Sequence, residues 1–292
     1  MDIRSPERQR AVIARLQSID QLDPAWCGFT ELIRLTKDPN VPFREIESRI
    51  GQSPGFGSHV VSLASSVAYA GGNVKNIRQA IAVLGLNGVR SILASLALRN
   101  LTMRQAPGGR FDGGTFMRRC LALAFVHKTL AERQMMTDPE CAYLAGLVQE
   151  IGYLALSQCI PDVLDETITI AQRQSGEPLI SVERRHLGFD HAWVGAVLAE
   201  KWGFDPIVLS AIRFHHDPSD APSDHKPVVD LGHVASWICH EFAIPPLPGA
   251  QGHMVDPYSL MRVGLNARDL EHLRNALPAH IHSVLDSFLS AA

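Results

Sequence analysis

Apolar residues recur along this chain at spacings of three and four, and strict alternation is almost absent. Val12, Ile13, Leu16 and Ile19 form the first such stripe, the pattern of a helix with one buried face. Ser5 followed by Pro6 marks its start, because a proline at the first helical position lacks only an N–H that the helix would leave unpaired. The same start recurs at Ser53-Pro54, Asp138-Pro139 and Asp205-Pro206. Stops are equally regular: Gly71-Gly72 follows Tyr69 and Gly203 follows Trp202, glycine being the residue that most readily turns a helix end into the left-handed region. The pattern predicts an all-α protein of roughly eleven to thirteen helices.

One stretch interrupts the rhythm. Gln105 to Gly114 holds four glycines and a proline between two strongly apolar helices, so it is predicted to be non-helical. It divides the chain into an N-terminal helix (1–20), an N-terminal helical lobe (21–106) and a C-terminal helical lobe (107–292). Surface loops are predicted for 217–226 and for the proline-rich segment Pro245–Gly252. No internal repeat or low-complexity tract is present.

Composition narrows the function classes. The 27 basic and 30 acidic residues nearly cancel, so no global field draws this chain to nucleic acid or to an anionic membrane. Neither a recognition-helix pattern nor basic residues interleaved with aromatics occurs, and nucleic acid is not an expected partner. Cys27, Cys120, Cys141, Cys159 and Cys239 include no CxxC pair, which argues for reduced thiols rather than a disulfide framework or a cysteine zinc site. The N-terminus has no apolar signal region, and the apolar run Ser91–Leu98 is closed by Arg99. A cytoplasmic protein with no membrane segment is expected.

The N-terminal lobe shows no nucleophile beside a base, and Gly55-Phe56-Gly57 lacks the third glycine of a dinucleotide loop. Its text is nevertheless distinctive in order: Asp38-Pro39, Ser53-Pro54, Leu63 to Tyr69, then Ile77 to Gly85. This succession resembles the HDOD domain of bacterial signalling proteins, a degenerate relative of the HD and HD-GYP phosphohydrolases. Ser65 stands where that family usually has asparagine, and the second Asp-Pro is Ser-Pro. The resemblance covers about residues 20 to 285. It implies a two-lobed helical bundle and a regulatory role in pathways such as motility, stress response or cyclic-nucleotide signalling. Other signalling proteins or a nucleotide second messenger would be its partners, bound between the lobes. With only about 20 residues ahead of the module, the signal is expected to arrive through contact with other chains.

The resemblance also implies a site. Active HD enzymes present His, His-Asp, His, His and Asp to a divalent metal, which ionises a bound water and offsets phosphate charge. Laid onto this chain, those positions fall at Arg119, Gln149-Glu150, His191, His215-His216 and Ser236, with Asp230 close to the last. Arginine cannot bind a metal and its charge repels one. Only Glu150, His191, His215 and His216 remain as candidate ligands, so the expectation is a vestigial, non-catalytic site without a cofactor. The alternative is a metal-dependent phosphohydrolase with a rearranged site, in which Asp230 or Glu183 adds a carboxylate. The segment that defines the GYP enzymes is absent.

Each of these residues also has a plainer reading. His215-His216 falls where a helix ends, and histidine there can donate to the last carbonyls. His191 follows Asp190, a good N-cap, and can simply pack within the lobe. His127, His186, His233 and His240 have no partner at metal spacing and read as surface or satisfied residues. Arg118-Arg119 and Arg184-Arg185 read as solvated faces or internal salt bridges. On this view the surviving site residues hold helices together.

Overall fold

The computed structural model describes residues 6–19, 56–65, 73–102, 109–135, 137–173, 176–248 and 250–289, with a few positions between 41 and 48. The caps and turns expected at Ser5, Asp38-Pro39, Ser53-Pro54 and Gly71-Gly72 lie outside the described residues. Every regular element described is helical, as the spacing of apolar residues predicts. No helix among the described residues is long and apolar enough to cross a membrane.

The chain begins with α1 (Pro6–Gln17), α2 (Phe56–Ser65) and α3 (Ile77–Thr102). Gly85 interrupts α3 at φ 69° and ψ 175°, a conformation essentially open only to glycine. Then come α4 (Gly113–Gln134), α5 (Pro139–Val148), α6 (Ile151–Cys159) and α7 (Pro161–Arg173). Next are α8 (Leu179–Leu187), α9 (His191–Lys201), α10 (Pro206–Phe214) and a 3-10 turn at Pro218–Asp220. The bundle closes with α11 (Lys226–Glu241), α12 (Pro257–Val263) and α13 (Ala267–Leu289).

The expected starts are realised by real caps. Asp138 and Asp190 accept the backbone N–H of Cys141 and Trp193, each at 2.7 Å. Asp205 opens α10 without such a bond. The glycine-rich break is shorter than expected: Gly113 and Gly114 belong to α4, because Asp112 caps that helix through the Thr115 N–H at 2.6 Å. Gly113 is needed there, since a Cβ would sit 2.5 Å from the Thr102 carbonyl oxygen. Gly203 turns left-handed (φ 66°) after α9, as predicted.

α4 lies against α3, α5, α11 and α13. One face of α4 (Leu121, Ala124) joins a core that runs from Leu16 and Val60 through Ile92 and Leu96 to Tyr153 and Val194. Its other face (Leu123, Val126, Leu130) packs with Val234 and Ile238 of α11 and with Leu273 and Leu277 of α13. Arg119 therefore enters the interior on a helix packed on both faces.

Two glycines set how closely α6 and α9 pass. A Cβ on Gly152 would fall inside the van der Waals radius of the His191 carbonyl oxygen, and one on Gly195 would lie 3.3 Å from the Gly152 nitrogen. Backbone on backbone cannot be relieved by a rotamer change, so this contact fixes Glu150 relative to His191. Gly152→Ala is expected to lower the unfolding free energy by about 1–3 kcal/mol or more. At Gly109 the nearest atom to an added Cβ is an Asp165 carboxylate oxygen at 3.6 Å, so Gly109→Ala should stay within about 0.5 kcal/mol of the parent. Urea denaturation of the two variants checks this; equal effects would contradict it.

Candidate functional site

The turn between α5 and α6 carries Gln149 and Glu150, and both are buried. They face different networks. Gln149 Oε1 lies 3.0 Å from His127 Nε2 and its amide reaches the Gly232 carbonyl at 3.4 Å. The structure therefore separates Gln149 from the other expected ligand positions. It also shows His127 to be an interior residue, with an unpaired Nδ1, and not part of the surface.

Glu150, only 1% exposed, divides its two oxygens. Oε1 accepts from Arg119 Nε at 3.3 Å and Nη2 at 3.2 Å. The same guanidinium donates to Ser236 Oγ at 2.6 Å and to the Ile244 carbonyl at 2.8 Å. Arg119 and Ser236 are thus joined to Glu150, as the alignment of vestigial positions anticipated, and the arginine is engaged on all sides. Glu150 Oε2 lies 3.1 Å from His191 Nε2, a charge contact that lacks hydrogen-bond geometry, so this oxygen is left unpaired. Burial pushes the Glu150 carboxyl pKa up, but His191 and Arg119 outweigh it and hold the group well below the usual carboxylate range.

His191 is the centre of the cluster. Its Nε2 lies 3.3 Å from His215 Nε2 and 3.2 Å from His216 Nε2. Its Nδ1 and its backbone N–H each approach Glu183 Oε2 at 2.8 Å. Tyr153 donates to the other Glu183 oxygen at 2.5 Å and stacks on the His191 ring at 3.9 Å. Burial pulls the His191 pKa down, yet Glu183 and then Glu150 outweigh it and raise it well above the ordinary histidine value. Burial drives His215 down to about 4. It also drives His216 well below its ordinary value, helped by the neighbouring imidazoles.

The hydrogen-bond pattern fixes which ring nitrogens carry lone pairs. His215 Nδ1 sits 2.8 Å from the Ile212 carbonyl, which can only accept, so that nitrogen is protonated and Nε2 faces the cluster bare. The helix-end role expected for His215 is real. With Nδ1 of His191 likewise turned to a carboxylate, its neutral form also leaves Nε2 bare, and the ligand atoms of His191, His215 and His216 lie within 4.8 Å of one another. His216 Nδ1 has no partner, so a neutral His216 can carry its proton on Nε2 and donate to His191 Nε2 at 3.2 Å. A proton on His191 would supply a donor as well, and one divalent ion could take all three nitrogens.

Three converging imidazoles match the three protein ligands of a zinc-like site. Glu183 would supply the outer support such ligands usually have. The residues therefore fit one ion, held by His191, His215 and His216, while Glu150 lies outside that group with Oε2 3.1 Å from His191 Nε2. Arg119 and Ser236 offer nothing to a second. Glu183 faces Nδ1, the outer nitrogen of His191, so it orients that ring. Asp230 is engaged elsewhere, with Ser259 at 2.7 Å and with Arg262. Neither carboxylate is available to the cluster, which removes the extra ligand that a rearranged enzyme site would need.

Three residues that the sequence did not single out complete the site: Tyr153, His253 and Ile244. His253 packs edge-on against His216, with ring centroids 4.9 Å apart, and lies in the loop that covers the cluster. The cavity left beneath that loop is about 20 Å³, close to the space of one water. Arg184 and Arg185 form internal ion pairs, as read from sequence: Arg184 with Asp190 and Asp217, Arg185 with Glu177.

The profile of the HDOD domain matches residues 28–218. The chain belongs to the HDOD family. A protein of Treponema pallidum (strain Nichols), described only as uncharacterized, is 25% identical over 228 residues, 75% of this chain. The chain spans 42% of that relative's length. Among solved structures, an HDOD domain protein from Geobacter sulfurreducens superposes with a TM-score of 0.75 at 22% identity, over 88% of this chain and 91% of its own. A Marinobacter aquaeolei VT8 protein, assigned to signal transduction by inference, gives 0.70 at 23% identity over 96% and 64%. A Shewanella amazonensis SB2B protein, whose phosphohydrolase name is itself an inference, gives 0.68 at 20% over 97% and 98%. At these identities the superpositions establish a shared HDOD-type fold.

Two outcomes follow from the buried charges. Arg119→Met is expected to cost about 3–5 kcal/mol, because it strands the Glu150 charge. Adding Glu150→Gln should recover part of that loss, read by chemical denaturation. For His127, burial lowers the pKa to about 4 in the folded state, against about 6.5 in the unfolded chain. The unfolded state then binds more protons in this window, so stability falls as pH drops from about 6.5 toward about 4. Between pH 7 and pH 5 the parent should lose about 2 kcal/mol more than His127→Gln; parallel curves would contradict the assignment.

Proposed function

We propose that this HDOD chain is a non-catalytic regulatory module that acts in the cytoplasm by binding other signalling proteins or a nucleotide second messenger. One observation carries the reading: the guanidinium of Arg119 lies inside the HD-like site, paired with Glu150 and bonded to Ser236. An enzyme of this lineage needs that space for metal and phosphate. Here a fixed cation occupies it, and the remaining volume is too small for a phosphodiester. The buried thiols Cys120, Cys159 and Cys239 are free, in keeping with a reducing compartment.

The convergence of His191, His215 and His216 favours one competing reading, a one-metal phosphohydrolase. Bound there, an ion would ionise water and offset phosphate charge. Protein purified without chelator, assayed for metal and for hydrolysis of bis-(p-nitrophenyl) phosphate with added manganese, separates the two. The expected result is no turnover above blank, unchanged by His191→Ala. Manganese-dependent hydrolysis that His191→Ala abolishes would overturn the non-catalytic reading.

A further inference from the structure

A second cavity, of about 860 Å³, lies where the end of α11 meets α13. This volume is within the range of small-molecule sites. Its wall includes Phe242, Ile244, Leu277 and Ile281, and Arg118 and Arg274 stand at its edge. The Arg274 guanidinium lies over the Phe242 ring, 5.0 Å from its centroid. Both arginines are exposed and neither has an ion-pair partner among the described residues. Glu241 is the only carboxylate among the described lining residues, and His282 adds a further basic group.

The helix end does not oppose an anion here. The carbonyls of Ile238, Cys239 and His240 are taken by the N–H groups of Phe242, Ile244 and Ala243 at 2.8–3.0 Å. The negative end of α11 is thereby closed on itself. Among the described residues of the lining there is no Ser, Thr, Asn, Gln or Asp. The apolar wall with a doubly cationic rim suits a ligand of matching design, an apolar body with an anionic head.

We propose that this cavity binds a small amphipathic anion, an acyl or aryl body bearing one carboxylate or phosphate. The body contacts Phe242, Ile244 and Leu277, and the head group lies between Arg118 and Arg274. The site is distinct from the histidine cluster but shares a wall with it. Ile244 lines the cavity, and its carbonyl accepts from Arg119 Nη1 at 2.8 Å. A ligand that shifts Ile244 therefore acts on the Arg119–Glu150 pair. This goes beyond the regulatory reading above, which stands or falls on hydrolysis and metal content instead.

The test is competition for 8-anilinonaphthalene-1-sulfonate fluorescence on the full chain, with decanoate, decyl phosphate and decanol as competitors. One or both anions should compete at least about tenfold better than decanol, and the better head group tells a free carboxylate ligand from a phosphate-bearing one. Arg118→Ala/Arg274→Ala should remove that preference, and Ala279→Trp should block all three by filling the cavity. Folding of each variant is checked by circular dichroism. Equal competition by decanol, no competition by either anion up to about 1 mM, or an unchanged preference in the folded double-alanine variant would overturn the proposal.

Discussion

A carboxylate at the middle of a helical bundle must be neutralised, and most of this protein's interior polar structure follows from how Glu150 achieves that. An isolated buried charge is prohibitively costly, whereas one paired on both sides is tolerated. Arg119 answers one oxygen of Glu150 and His191 faces the other. Each answer recruits further partners. Arg119 calls in Ser236 and the Ile244 carbonyl. His191 calls in Glu183, which in turn holds Tyr153. Two positive and two negative groups balance within the core, and the elements that carry them, α4, α6, α8, α9 and α11, are held in one arrangement.

Much of this was legible in the sequence. The helical class, the caps at Asp138 and Asp190 and the grouping of Glu150, His191, His215 and His216 follow from local spacing and from the order of family positions. The grouping depended on knowing that order, since no spacing rule relates residue 150 to residue 215. Gln149 shows the limit. It is adjacent to Glu150, yet one step along a tight turn aims its side chain at His127 instead. Adjacency in sequence carries no information about direction in a turn.

The residues that escaped notice share a physical reason. His253 reaches the cluster from a loop beyond α11, and Ile244 contributes a backbone carbonyl, which every residue has. Tyr153 looked like one more apolar position of α6, and its hydroxyl matters only because Glu183 lies opposite. The role of Glu183 as an orienting group, not a ligand, rests on which ring nitrogen it meets. Contacts of this kind are properties of the assembled bundle. The glycines at 152 and 195 belong here too: in sequence they weaken two helices, and in space they let backbones meet.

Arg119 has a further consequence when compared with the ion that its position holds in active relatives of the HD type. A metal is a dissociable cation, so a fold that depends on one is coupled to its supply and is undone by chelators. A guanidinium is tethered to the chain and keeps its charge at any physiological pH. By building the counter-charge of Glu150 into the polypeptide, this chain keeps that carboxylate paired whether or not an ion sits among His191, His215 and His216. The Arg119–Glu150 pair is therefore one part of the interior that a chelator does not undo.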